Sequence, residues 1–279
     1  MAKTKGTATK TKKEKEVVVS SSFAGKLSKA KDADRLTRAE DGMNVTFISL
    51  CQSQAKALDE DDNEFYIKGL QQKEFYVQAK KLRLGKSLKV VPLSFLTVYN
   101  EFSGSGQDAK MLGIWHKDDA VKFPLHPMHF FNRVMPNGNE LRPVKWVLVY
   151  LPDHPDLDNA VVTFKSTANR VAKAWAKDVE SHGGMSCQLI YELSAKRVEN
   201  DKGKWFEITP EYVKHVFEDN DGDVTVNYDF AETVVDMSLE YNESYAKGTL
   251  IPRRSEAAMQ IADSRPVVED DDDEDEIPF

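Results

Sequence analysis

The sequence predicts a mainly β protein of the α+β class, and three observations lead to that prediction. Short runs rich in β-branched and aromatic residues recur between residues 45 and 210. One segment, residues 166–184, has by far the strongest helical pattern. The chain shows neither an internal repeat nor the regular alternation of strands and helices that parallel α/β folds require. Several strands interrupted by one good helix indicate a small barrel or sandwich with one or two inserted helices.

Strand-like segments follow one another along the middle of the chain. Pro92 lies near the start of the longest of them and predicts an edge or a bend there, because proline has no N–H to donate. Residues 123–140 break the series, since they are irregular and end in a turn rich in Pro, Asn and Gly. The predicted strands are 45–51, 65–84 (as one or two strands), 87–102, 111–117, 144–151, 160–164, 185–199 and 204–210.

The best helical segment is bounded at both ends. Ser166 is the expected N-cap, and Gly183–Gly184 supply the stop. Two weaker helices are predicted at 23–40 and 229–245. Four side chains of the best helix fall on one face and are expected to pack inward: Val171, Ala174, Trp175 and Val179.

Composition divides the chain into three parts. Residues 1–22 are rich in Lys, Thr and Ser and predict a disordered arm, and 252–279 predict a disordered acidic tail. Residues 23–251 are expected to form the folded domain. No apolar run is long enough to span a membrane or to serve as a secretory signal. The two distant cysteines, Cys51 and Cys187, fit buried thiols in a reducing cytoplasm, so a cytoplasmic protein without a membrane partner is expected.

The charge of the chain is strongly segregated. Residues 1–38 hold eleven Lys or Arg against four acids, and 66–90 hold seven against one. Residues 217–245 hold nine acids and no Lys or Arg, and 269–276 are eight consecutive acids. Such asymmetry predicts a polyanionic partner, with the acidic tail as a mimic of that partner.

Signatures of enzymes and metal sites are incomplete, so neither catalysis nor a cofactor is expected. Residues 104–110 lack the spacing of a phosphate-binding P-loop, and 218–230 lack acids at the end positions of a calcium loop. The histidines of 126–129 lack the further ligands that zinc needs. The runner-up function is a Mg²⁺-dependent nuclease with Asp153, Asp156 and Asp158 as metal ligands, although Asp is common in turns of this kind.

The central basic segment interleaves cations with aromatic rings. Unpaired bases stack on exposed rings while Lys and Arg follow the phosphates, so this combination suits single-stranded nucleic acid. Strand alternation would turn one member of each dyad, Phe65–Tyr66 and Phe75–Tyr76, to an open face. The alternative is that all the rings are core and the lysines form a solvated face. The predicted binding residues are Tyr66, Lys68, Lys73, Tyr76, Lys80, Lys81, Arg83, Lys86 and Lys89, with Tyr99, Trp115 and Lys117 as secondary candidates.

The C-terminus, DDDDEDEIPF, combines a run of acids with an apolar tip. It resembles the tail of bacterial single-stranded DNA-binding proteins, which ends in acids followed by Asp-Ile-Pro-Phe. The body of the chain is more similar to a phage-encoded, diverged relative of that class. The matching residues here are Asp275, Glu276, Ile277, Pro278 and Phe279, with Glu in place of Asp before Ile.

The resemblance implies an OB-fold-like barrel, sequence-nonspecific binding of single-stranded DNA, and no catalysis. It also implies a tail whose terminal Phe279 docks into replication and recombination proteins, while the acids upstream speed the encounter with basic partners. Three other interpretations stay open: a tail that only solubilises, a DNA-mimic inhibitor built on 217–245, and binding to RNA. A homo-oligomer is compatible with the sequence.

Overall fold

A single curled sheet organises the region that the computed structural model describes, namely residues 45–62, 64–103, 109–182, 185–200, 203–216 and 228–254. The chain divides into two units, 1–44 and 45–279, and every described residue belongs to the second. The predicted arm, the predicted helix at 23–40 and the predicted tail from residue 255 onward therefore lie outside the described residues. The strands are β1 Thr46–Leu50, β2 Phe75–Val77, β3 Leu82–Gly85, β4 Leu88–Ser103, β5 Lys110–His116, β6 Arg133–Val134, β7 Glu140–Tyr150, β8 Ala160–Lys165, β9 Leu189–Asn200 and β10 Gly203–His215.

The strands follow the order β10-β9-β4-β7-β8-β1-β2-β3, with β5 added to β4 and β6 added to β7. Strands β1 and β8 pair in parallel, and the other pairs are antiparallel. The eight-strand path curls into a half-barrel, so the predicted mainly β, barrel-like fold is confirmed.

The long strand β4 is what allows the sheet to curl. Its first residues pair with β9, and from Val91 onward it pairs with β7. The register shifts between Pro92 and Ser94, which is where the missing N–H of proline predicted a bend. A second shift follows between Glu101 and Phe102 in the pairing with β5. Irregularities of this kind bend a strand and raise its local twist.

The described helices are α1 Lys117–Ala120, α2 Asn169–Ser181 and α3 Tyr228–Ala246, so the predicted helix at 229–245 is confirmed. The buried face of α2 consists of Ala172, Trp175 and Val179. Ala174 was predicted on that face but is exposed. Ser166 does not cap α2: it begins a short 3-10 turn, Ser166–Ala168, with a φ of 51°. This turn connects the end of β8 to the start of α2.

The main core lies between α2 and the sheet, around Trp175. Its indole makes edge-to-face contacts with Phe95, Phe164 and Tyr191, at ring separations of 5.4, 6.3 and 5.5 Å. Trp146 is buried too and lies 5.4 Å from the ring of Phe47. Aromatic pairs of this kind add about 0.5–1.5 kcal/mol each beyond area burial. The prediction that Trp175 packs inward is confirmed.

Both cysteines are buried and free, as expected from the sequence. Burial raises the pKa of the Cys51 thiol to about 11, and the nearby Glu74 carboxylate adds to that shift. A thiol with so high a pKa is a poor nucleophile at neutral pH. No helix among the described residues is long and apolar enough to cross a membrane.

Candidate nucleic-acid interface

The predicted basic segment forms β2, β3 and the turns around them, and its cations face solvent. Several of them already have partners within the protein, including Lys80, which donates to the carbonyl of Asp156 at 3.5 Å. Arg83 donates to both oxygens of Glu74, at 3.0 and 2.9 Å, and Lys73 lies 5.3 Å from the ring centre of Phe206. The exposed cations are Lys68, Lys73, Lys80, Lys81, Arg83, Lys86 and Lys89. The segment therefore offers positive charge over a wide surface.

The tyrosines of this segment are less open than its lysines. Tyr66 is half-buried and donates its hydroxyl to Glu60 at 3.0 Å. Strand alternation sends Phe75 into the core, but Tyr76, on the other side, packs against a second apolar cluster that contains Cys51. Neither tyrosine presents a fully open ring face to a base.

Two secondary candidates are buried, which corrects the expectation that Trp115 is an open stacking ring; Tyr99 is buried over most of its surface and lines the groove described below. Tyr99 and Trp115 belong to an apolar cluster beneath the loop that follows α1. The indole N–H of Trp115 donates to buried Glu101 at 2.7 Å, and Asn139 donates to the other oxygen of the same carboxylate at 2.7 Å. Lys117 is exposed, and it lines the groove described next.

A groove of about 1110 Å³ opens at the end of the sheet, where β4 ends, β7 begins and β8 passes into α2. Six cationic side chains line it, contributed by α1, β7, β8 and α2. Among the described residues, one carboxylate, that of Glu140, also lines it, and Arg142 and Asn132 donate to this carboxylate at 3.0 and 3.2 Å. The groove is thus strongly positive. Its cations are Lys117, Arg142, Lys145, Lys165, Arg170 and Lys173.

Two adjacent phenylalanines stand on the rim of this groove. Phe130 and Phe131 are 74% and 78% exposed and occupy the centre of a tight turn. The turn is closed by the N–H of Asn132, which donates to the carbonyl of His129 at 2.8 Å. Fully exposing a Phe side chain forgoes about 1.5–3 kcal/mol of burial energy, so two together at one tip indicate a surface that meets a ligand.

His126 fixes the position of the turn. Its Nδ1 accepts hydrogen bonds from the main-chain N–H groups of Met128 and His129, at 3.2 and 3.1 Å. Its Nε2 lies 3.5 Å from the buried Glu140 carboxylate, and its ring stacks on His129. Because one ring nitrogen accepts and the other faces a carboxylate, the neutral tautomer with a proton on Nε2 suits this arrangement. Phe130 and Phe131 are therefore carried by a turn whose backbone is held by hydrogen bonds.

Lys145 and Arg142 are the half-buried cations of the groove, whereas Lys117, Lys165, Arg170 and Lys173 are exposed. The ammonium group of Lys145 donates to the hydroxyl of Thr97 on β4 at 2.5 Å. Desolvation by burial lowers the pKa of Lys145, and the charges of Lys173 and Lys117 lower it further. Lys117, Lys145 and Lys173 line the same groove, so their positive charges act on one another there.

The C-terminal end of the described chain is fastened beside the same groove. After α3, Gly248 turns the chain at a φ of +71°, where any side chain would collide with Arg253. Arg253 pairs with Asp118 at 2.9 Å, and the main-chain N–H of Arg254 donates to Asp119 at 2.8 Å. Both acids lie on α1, next to Lys117. The tip that was predicted to bind partners, Asp275, Glu276, Ile277, Pro278 and Phe279, lies outside the described residues.

The residues considered for a nuclease and for a DNA mimic do not form a site comparable to the groove within the described parts of the chain. Asp153, Asp156 and Asp158 are exposed in the turn between β7 and β8. Within the ranges that the structure describes, no three His, Cys, Asp or Glu side chains are placed to hold a metal ion. Of the acidic stretch 217–245, the part from 228 onward forms α3, whose Ser238 donates to the carbonyl of Leu93 at 2.6 Å and so fixes one side of the helix to the sheet.

Most groove residues were missed by the sequence reasoning, because each comes from a different element. The pair Phe130–Phe131 carried a usable signal, since two adjacent phenylalanines in an irregular segment have no strand or helix face to bury them. The missed residues are Phe130, Phe131, Arg142, Lys145, Lys165 and Arg170.

The comparisons with known proteins agree with the phage resemblance at the level of family. The model of one protein family, described as Pam3 phage gp34-like protein, matches residues 12–240. No curated protein and no solved structure matches the chain. The matched region spans most of the sequence and includes the groove and its rim. The chain therefore belongs to the Pam3 phage gp34-like protein family.

Proposed function

We propose that this phage protein binds single-stranded DNA without sequence preference, through the groove at the end of the sheet. It would coat and protect strands exposed during replication, recombination and repair in the host cytoplasm. The observation that carries this proposal is the pair of exposed rings, Phe130 and Phe131, on the rim of a groove lined by six cations.

The chemistry of the groove matches an unpaired strand better than a duplex. Every base has a π-face that can stack on a phenylalanine, and each stack contributes about 1–3 kcal/mol regardless of sequence. A duplex keeps those faces covered, so the rings would gain little from it. The lysines attract phosphates as point charges and add no base-edge readout, which suits low sequence specificity.

The lysines of the predicted segment extend this surface. Arg170 of the groove pairs with Glu207 of β10 at 3.2 Å, and the neighbouring residue, Phe206, lies under the ammonium group of Lys73. A chain of contacts thus links the groove with the basic segment of β2 and β3. We assign the groove to base stacking and phosphate binding, and the exposed lysines of that segment to attraction of the flanking strand.

The acidic tail is assigned to partner docking. Its apolar tip would enter a pocket on a replication or recombination protein, and Pro278 would limit the freedom lost on docking. Removing 270–279 should keep or raise the affinity for oligo(dT) while abolishing capture of such partners. Loss of oligo(dT) binding in that truncated protein would contradict this division of labour.

The test is a fluorescence-anisotropy titration of labelled oligo(dT) with the full chain, repeated with a duplex of equal length. Oligo(dT) should bind much more tightly than the duplex. The slope of log K against log salt should reach about −3 if four lysines each neutralise one phosphate. Equal affinity for duplex, or affinity independent of salt from about 50 to about 300 mM, would overturn the proposal.

Two further arms separate the alternatives. Oligo(rU) in place of oligo(dT) measures the preference for DNA over RNA. Incubation of end-labelled oligo(dT) with Mg²⁺ should leave its length unchanged, whereas shortened products that disappear in a variant lacking Asp153, Asp156 and Asp158 would favour the nuclease.

A further inference from the structure

We infer that Lys117, Lys145 and Lys173, together with the hydroxyl of Thr97, form a subsite for one phosphate group within the groove. This inference rests on the proposed function and deepens it, since it says where the backbone of the strand is held. The ligand class is a phosphate, whether a diester of the strand or a free phosphate ion.

The first support is the pairing geometry of β4 and β7. Thr97 lies directly opposite Lys145 in the antiparallel register, and the ammonium group donates to the threonine hydroxyl at 2.5 Å. Because that oxygen accepts from Lys145, its own proton is left to donate to an anion. The ammonium group has two more protons for the same purpose.

The second support is that the other two lysines are held in place by their elements. Asn169 at the start of α2 accepts from the main-chain N–H of Lys145 at 3.2 Å and donates to the carbonyl of Pro143 at 3.1 Å. This clip fixes the start of α2 on β7, and Lys173 lies one helical turn further along.

Lys117 is fixed from the opposite side of the groove. The preceding residue, His116, places its Nε2 3.0 Å from the carbonyl of Tyr245, and its Nδ1 accepts from the N–H of Asp118 at 3.2 Å. The hydroxyl of Tyr245 in turn donates to the carbonyl of Thr97 at 2.7 Å. Helix α3 therefore ties the first residue of α1 to the strand that carries Thr97.

The third support is the charge balance. Over the described parts of the chain, none of these three ammonium groups makes an ion pair. Burial and the charges of Lys173 and Lys117 lower the pKa of Lys145, as expected where cations gather without a counterion. A bound phosphate would supply the missing negative charge and so reduce the repulsion among the three ammonium groups. Among the described residues, the other titratable groups that line the groove are Tyr99, His129, Glu140, Arg142, Lys165 and Arg170.

The decisive variants are Lys145→Gln and Lys173→Gln, with Lys196→Gln as the matched control. Lys196 is an exposed lysine of β9 that does not line the groove. Lys145→Gln should weaken oligo(dT) binding by about tenfold or more and reduce the salt slope by about 0.7. Lys173→Gln is a change on an exposed helix position, so it keeps the test valid if Lys145→Gln proves unstable. Lys196→Gln should stay within about twofold of the parent protein.

A second readout follows the phosphate itself. The protein is labelled with ¹³C- and ¹⁵N-lysine, and the lysine side-chain signals are followed by NMR during titration with inorganic phosphate and with thymidine 5′-monophosphate; the Lys145 signal is assigned by its loss in Lys145→Gln. Phosphate favours the charged form of the amine, so the pKa of Lys145 should rise on binding and affinity should fall as the pH is raised past the pKa of the free protein.

The outcomes separate the subsite from the proposed function. Parent-like oligo(dT) affinity and salt slope in both Lys145→Gln and Lys173→Gln would overturn the subsite and leave strand binding intact. A phosphate-dependent shift of the Lys145 signal in a protein that does not bind oligo(dT) would support a free-phosphate site and overturn strand binding. Failure of both readouts would overturn both.

Discussion

The exposed turn at the groove rim allows a sharp test by mutation. Replacing Phe130 and Phe131 together with alanine removes both rings and leaves every groove cation in place. The main-chain bonds that close the turn are made by His129, Asn132 and the ring of His126, so they do not depend on the phenyl groups.

The expected magnitude follows from the stacking energy and the exposure of the rings. Each base–ring stack contributes about 1–3 kcal/mol, so loss of one ring should weaken oligo(dT) binding by about 5-fold to 150-fold, and loss of both by more. The rings are 74% and 78% exposed in the free protein, so the free energy of unfolding should change by less than about 0.5 kcal/mol. Affinity should fall while stability stays constant.

The assay is anisotropy with labelled oligo(dT) at one fixed salt concentration, together with urea unfolding of each variant. Leu239→Ala is the matched control, because Leu239 is an apolar side chain of α3 that is 62% exposed and does not line the groove. The control should bind like the parent protein. The reasoning would be refuted if the double variant, still stable, bound oligo(dT) within about twofold of the parent.

Two further predictions concern stability. Trp175→Ala should cost about 3–5 kcal/mol in urea unfolding because it empties the centre of the main core, and a loss below about 1 kcal/mol would contradict the packing described. Asp119 is buried, which opposes its ionisation, but the Arg254 N–H, Lys122 and Arg253 outweigh burial and lower its pKa below 3.8. The contribution of Asp119 to stability is therefore present above pH 3.8 and is lost as the pH falls through its folded-state pKa. In thermal melts, Asp119→Asn should reduce the drop in melting temperature between neutral and acid pH. An unchanged drop would show that other carboxyl groups dominate the acid sensitivity.

Intrinsic fluorescence is a weaker probe of binding than the tryptophan content suggests. Trp115, Trp146 and Trp175 are buried, and Trp205 on β10 is the half-buried one. A strand in the groove should therefore quench tryptophan only slightly. Labelled oligonucleotides are the better choice for every titration above.

Local patterns in the sequence were sufficient to predict the class of the fold. Runs of β-branched and aromatic residues marked most strands, and the helical spacing around Trp175 marked the element that covers the core. Ser166 misled because serine favours caps in general, whereas here it takes a φ of 51° at the start of a 3-10 turn. That conformation depends on how β8 leaves the sheet, which no local pattern encodes.

The candidate site was harder to predict because its residues are distant in sequence and are brought together by the alignment of paired strands. Thr97 and Lys145 are 48 residues apart in sequence, and they meet only because β4 and β7 pair in one particular alignment. The clustered lysines of 66–90 were conspicuous along the chain, while the groove cations are scattered. Burial of Trp115 was equally invisible, since it depends on the loop after α1 folding over β5.

Photo-crosslinking tests the central claim, strand binding in the groove, most directly. Oligo(dT) containing 5-iododeoxyuridine is bound to the full chain and irradiated, and the modified residues are identified by mass spectrometry. Crosslinks are predicted at Phe130 and Phe131, with fewer at residues elsewhere along the groove, and an excess of unlabelled oligo(dT) should suppress them. Crosslinks that fall only outside the groove, or that duplex DNA suppresses equally well, would contradict the assignment of this groove to single-stranded DNA.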